Sequence, residues 1–188
     1  MAPILATRGA GSALGFGRYS VSTEGVGLFE SIASVYMTSS TSTAVTFSNI
    51  PQTYRHLQIR TFHATRQSST NGYGTISMNG SPSGVRNLLF TGGSNTVTSY
   101  KDASTGAITE SLNDVYHGSS VIDLLDYTNT NKRRTFRVFS GVDLNGNGSL
   151  GFNSLILDSQ SAVTSVTVTP NETFQPYSRV SLYGIKDS

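Results

Sequence analysis

From Ile32 onward, apolar and polar residues alternate with a period of two, and this pattern constrains the chain more than any other feature. Val45 and Phe47 alternate with Thr46 and Ser48, and Leu57 and Ile59 with Gln58 and Arg60. Phe136, Val138 and Val142 share one parity, with Arg137 on the other. Val166 and Val168 alternate with Ser165 and Thr167, and Val180 and Leu182 with Arg179 and Ser181. Such a period sends one set of side chains to a core and the other to water or a partner, as in a β-strand. Turn dipeptides separate the runs: Asn71-Gly72, Asn79-Gly80, Gly92-Gly93, Asn145-Gly146 and Asn147-Gly148. Asn-Gly supplies the positive φ angles of tight hairpins. About eight to ten short strands without regular helices between them predict an all-β fold, a jelly-roll-like antiparallel β-sandwich.

Two segments could also line a helical face: Leu28, Phe29, Ile32, Ala33, Val35 and Tyr36, and Val121, Ile122, Leu124 and Leu125. Both are read as strands. The second runs through the turn-like Thr128–Asn131 into another strand, which suits a hairpin. No repeat of fixed period marks a solenoid or propeller.

The first 30 residues differ. Gly9, Gly11, Gly15, Gly17, Gly25 and Gly27 punctuate them, too densely for a regular helix. The chain therefore divides into 1–30, an extended glycine-rich N-terminal arm, and 31–188, the sandwich domain. A floppy terminus is the plain reading of the arm. The aromatic anchors Phe16 and Tyr19 favour an arm ordered on a neighbouring subunit, with Phe16, Arg18 and Tyr19 as docking residues. With 188 residues the chain suits one domain, able to bury roughly 70% of its unfolded surface.

Composition excludes several classes of function. Charged residues make up 13% and apolar ones 36%. That is too uncharged for a disordered polyelectrolyte and too polar for a membrane protein, and no apolar run reaches the roughly 20 residues of a span. A net charge of +2 is small for a nucleic-acid binder. The absence of cysteine excludes disulfides, thiolate metal sites and cysteine nucleophiles. The opening MAPILATRGAG has no basic region followed by an apolar stretch, so no secretory leader is expected.

The search for chemistry yields little. His56 and His63 are seven residues apart, which puts them on opposite faces of a strand and argues against joint metal ligation; His117 is the third histidine. The spacing of Asp114, Asp123, Asp126, Asp143 and Asp158 selects no catalytic pair. Asp143, Asn145 and Asn147, followed by Gly148, resemble half of an EF-hand loop, but Ser154 stands where the bidentate glutamate belongs. The loop reads as a hairpin turn, with a weak cation site as the alternative. Lys132-Arg133-Arg134 and Arg137 form one basic cluster, read as a solvated turn and strand edge or a contact with an anionic surface. Tyr73, Tyr100, Tyr116, Tyr127 and Tyr177 could stack on sugar rings, with Tyr100 and Tyr116 the candidates for glycan contact. No enzyme and no cofactor is expected.

The opening MAPILATRGAGSALGFG resembles the start of structural proteins of tailed bacteriophages, especially aquatic ones. FSNIPQTYRHLQIR (47–60), VIDLLDYTNTNKRRTFRVFSG (121–141) and YSRVSLYGIK (177–186) resemble a β-domain of phage fibre, appendage and head-decoration proteins. The resemblance implies a virion component on the exterior of the particle with no catalytic residue. Its partners would be capsid or tail proteins and, by analogy, two further copies in a homotrimer. A head decoration or cement protein docked through the arm is the expectation, and a tail fibre or appendage protein that binds a host-surface glycan is the alternative.

Overall fold

The computed structural model of the chain describes residues 28–40, 43–65, 72–82, 87–93, 96–102, 107–111, 116–143, 145, 148–157 and 159–186. Among them there is no helix. The strands are β1 (Phe29–Tyr36), β2 (Val45–Phe47), β3 (His56–His63), β4 (Gly72–Met78), β5 (Ser81–Pro82), β6 (Asn87–Gly93) and β7 (Thr96–Asp102). They continue as β8 (Ala107–Ser111), β9 (Gly118–Leu124), β10 (Arg134–Asp143), β11 (Gly148–Leu157), β12 (Val166–Thr169) and β13 (Arg179–Ile185). Both ambiguous segments are strands, β1 and β9. The count exceeds eight to ten partly because pieces such as the two-residue β5 are too short to show a period.

One sheet has the order β1-β13-β3-β9-β10-β11-β6-β7, and the other β2-β12-β4-β5, with β8 also on β4. All pairings are antiparallel. The chain changes sheet repeatedly, and the expected antiparallel β-sandwich is what results. A jelly roll has eight strands in two sheets; these sheets hold eight and five.

The alternation explains the layers. Leu57, Ile59, Ile122, Leu124, Phe136, Val138, Leu155, Leu157, Val180 and Leu182 point inward from the larger sheet. Val45, Phe47, Ile76, Met78, Val166 and Val168 come from the smaller one, and all belong to one core. Each such side chain contributes roughly 1.5–3 kcal/mol by leaving water. Toward one end the inner face turns polar. Thr61, Ser120 and Ser140 stand side by side on β3, β9 and β10, with His63 and Asn153 on the same face. Among the described residues, the three hydroxyls, Asn153 Oδ1 and both His63 ring nitrogens are buried with no hydrogen-bond partner. His56 and His63 fall on opposite faces of β3, as their spacing requires.

Turn chemistry works where both residues can take positive φ. Asn79 (φ 52°) and Gly80 (φ 73°) close the β4–β5 hairpin. Gly92-Gly93 does not turn. Both residues still pair, with Val97 and Thr96, so they belong to the strands of that hairpin.

The boundary after residue 30 also moves. Leu28 accepts the Lys186 N–H through its carbonyl (2.9 Å), and Glu30 Oε2 pairs with Lys186 Nζ (2.7 Å). Leu28–Glu30 therefore belong to the sheet rather than to the arm. The arm itself, with Phe16, Arg18 and Tyr19, lies outside the described residues.

Candidate interaction surface

The sequence-derived sites are dispersed by the fold. Tyr100 lies in β7 opposite Leu89, whereas Tyr116 is half-buried just before β9. Three strands, β10, β11 and β6, separate β9 from β7. Tyr127 is wholly buried and donates its hydroxyl to the Pro51 carbonyl, so it is a core residue and not a sugar platform. Asp143 ends β10. Its Oδ1 accepts the Asn145 N–H (2.9 Å) in an Asx-turn, with Asn145 at φ 61°. Asn147 lies outside the described residues. Among the described residues, no three of His, Cys, Asp or Glu gather as metal ligands would, and no helix is long and apolar enough to cross a membrane.

The basic cluster divides. Lys132 is exposed and bonds the Asp126 carboxylate. Arg134 is wholly buried, which overturns the solvated reading for that residue. It shares the parity of Phe136 and Val138, and the core claims it. Its Nη1 donates to the Asn129 carbonyl (2.6 Å) and its Nη2 to that of Ser159. Burial lowers its pKa.

Those bonds brace a polar cleft of about 310 Å³ lined by Arg55, Asp126, Thr128, Asn129, Thr130 and Asn131. Asp126 is its electrostatic centre, with φ 48°. Arg55 Nε lies 2.8 Å from Oδ1. The Lys132 hydrogen bond, helped by Arg55, holds the Asp126 carboxyl below its ordinary pKa against the opposing effect of burial. The Asp126 N–H donates to His56 Nδ1 (2.9 Å). That nitrogen is therefore an acceptor, and the 3.6 Å approach of Asp126 Oδ1 to it is not an ion pair. Asp126 is thus paired both with Lys132 of its own loop and with Arg55, which precedes β3.

The outer face of the larger sheet is different. On it the alternation should deliver polar residues, and in one row it does: Tyr183, Gln58, Asp123, Arg137 and Ser154 follow in register. Gln58 Nε2 bonds Asp123 Oδ1 (2.7 Å), and Arg60 Nε bonds Gln58 Oε1 (2.6 Å). In the next row Arg60, Val121, Phe139 and Phe152 are neighbours, and beyond it Arg179, Phe62, Ser119, Gly141 and Leu150. Phe62, Phe139, Phe152 and Leu150 are 49%, 52%, 42% and 52% exposed. At roughly 150–250 Å² per aromatic side chain, the three phenylalanines alone leave on the order of 300 Å² of apolar surface in water. That is within the size of the largest apolar patch on a typical monomer, about 300–600 Å², which is often functional. Arg60 caps one end, over the rings of Tyr183 (4.8 Å) and Phe29 (5.6 Å). Phe62 stacks on His117 at 4.9 Å. The apolar residues of this face are visible in the sequence, but nothing local shows that four strands bring them together on one exposed surface.

No family model, curated protein or solved structure matches this chain.

Proposed function

We propose that the chain is a non-enzymatic structural protein of a tailed-phage virion, acting through repeated contact rather than chemistry. The observation that carries the assembly reading is the apolar patch Phe62–Phe139–Phe152–Leu150 on the outer sheet face. Its area suits the centre of a standard interface, which buries about 800 Å² per partner. The occupant is a second copy of this chain, in a homotrimer, as the sequence resemblance implies. A symmetric assembly multiplies each modest contact. Head decoration or cement, docked through the N-terminal arm, is the leading role. A tail fibre or appendage protein that binds a host glycan is the second, favoured by the exposed tyrosine corner described below.

The test is sedimentation of the purified chain. Wild type should be oligomeric. Phe139→Asp with Phe152→Asp should be monomeric yet still folded by circular dichroism, because both side chains face outward. A monomeric wild type at tens of micromolar, or an oligomeric double variant, would sink the assembly reading. For the arm, removal of residues 1–27 should leave a folded domain that no longer joins the particle. Normal incorporation would refute docking through it.

A further inference from the structure

The geometry points to a second site, bordering the apolar patch on the same sheet face, where Arg179 stands opposite Phe62 in register: the corner where β1 ends and β13 begins binds a saccharide bearing a carboxylate. This deepens the receptor-binding reading and does not depend on self-association.

Tyr177 is 86% exposed and has φ 68°, a left-handed conformation that bulky side chains rarely adopt. The turn is held by backbone bonds: its N–H donates to the Met37 carbonyl (2.9 Å), and the Ser178 N–H to that of Gln175 (3.2 Å). Strain of this kind persists where surroundings over-determine it and gathers at ligand contacts. A glycine at 177 would meet the turn's requirement without strain, and a tyrosine stands there instead.

The neighbours supply complementary chemistry. Tyr36, 65% exposed, is the last residue of β1 and pairs in register with Arg179. The Arg179 guanidinium lies 5.7 Å from the Tyr36 ring centroid, with Nη1 3.5 Å from its hydroxyl. No carboxylate among the described residues pairs with Arg179. The exposed residues Thr38 and Ser40 follow close along the chain. A planar guanidinium seeks a carboxylate or phosphate. Exposed tyrosine rings offer an apolar face with a polar tip, and the hydroxyls match those of a sugar. A single uncompensated cation is too little for a nucleic-acid backbone. The apolar patch begins at Phe62, and the corner beyond it, with a cation and two phenol hydroxyls, is too polar to continue a subunit contact.

The experiment titrates the full chain with trigalacturonate and with neutral maltotriose, by calorimetry and by NMR. Trigalacturonate should bind saturably, and maltotriose about tenfold more weakly or not at all. Tyr177→Gly should weaken trigalacturonate binding about tenfold while the melting temperature holds or rises by about 2 °C, because the turn is relaxed. Arg179→Gln, on an exposed position, should weaken binding comparably. Three results would each overturn the proposal: no saturable binding of trigalacturonate, equal affinity for the two sugars, or wild-type binding by Tyr177→Gly. Loss of self-association in Tyr177→Gly, with no sugar bound by wild type, would assign the corner to a second copy and likewise overturn it. Because binding is read on the isolated protein, its failure leaves the assembly test above unaffected.

Discussion

The ring of Tyr54 lies against the α-carbon of Gly184, so closely that any Cβ at position 184 would press into ring atoms Cγ, Cδ1 and Cδ2. Gly184 pairs with Leu57 on β3 and with Glu30 on β1, which leaves the backbone little room to yield. Tyr54 is itself part of the core.

Gly184→Ala should therefore destabilise by about 1–3 kcal/mol, the usual cost of overpacking. For a chain of this length that lowers the melting temperature by roughly 2–4 °C per kcal/mol. The compensating pair Gly184→Ala with Tyr54→Leu should recover part of the loss in calorimetry. No recovery would mean that the ring is not the obstacle.

Asn79 both turns and fastens. Its Oδ1 accepts the N–H groups of Thr164 (2.8 Å) and Ser165 (3.1 Å), and its Nδ2 donates to the Ala162 carbonyl (2.8 Å). Asn79→Ala loses these bonds and meets the left-handed penalty, for about 2–3 kcal/mol in all. Asn79→Gly loses the bonds but keeps the turn, and should cost about 1 kcal/mol less. Urea unfolding separates the two contributions, and equal losses would remove the backbone from the explanation.

Arg134 is a buried cation held by two carbonyls. Arg134→Ala strands both acceptors and opens a cavity, so a loss of about 3–5 kcal/mol is expected. Arg134→Lys, with no planar fork, should fall between wild type and Ala. Faster amide exchange through residues 129–131 should accompany either change. An Arg134→Met variant as stable as wild type would show that packing, not the paired donors, braces the loop.

Acid sensitivity should come in two windows. Burial, reinforced by the His117 charge, pushes His63 down from 6.5 to about 4. The unfolded chain then binds a proton that the folded one refuses. Stability is complete above about 6.5 and declines as the pH falls toward about 4, by about 3 kcal/mol in all. Below that range the loss levels off, because both states are protonated. Asp126 acts lower. Its folded pKa lies below 3.8, so its contribution is present above 3.8 and is lost as the pH falls through the folded value. Unfolding midpoints measured from pH 7 to 3 check both. His63→Leu should remove most of the slope between pH 6.5 and 4, and an unchanged slope would count against His63 as its source.

The local pattern of the chain was enough to fix which side of each strand faces which way. Val45, Leu57, Phe136 and Val166 were assigned inward by parity alone, and all are buried. The same parity separates His56 from His63, and Asn79-Gly80 announces its own hairpin, because pleat and turn geometry are properties of adjacent residues. Which strands lie side by side is set by pairings between residues far apart in sequence, and there local reading ends. Arg134 has inward parity, but its charge argued for solvent until the carbonyls of Asn129 and Ser159 were brought within reach. Phe139 looks like core in isolation and becomes a surface patch only when Phe62, Phe152 and Leu150 line up on neighbouring strands. Tyr177 has no periodic signal. Its exposure and left-handed backbone are imposed by Met37, 140 positions earlier, through a hydrogen bond that exists only once β1 lies against β13.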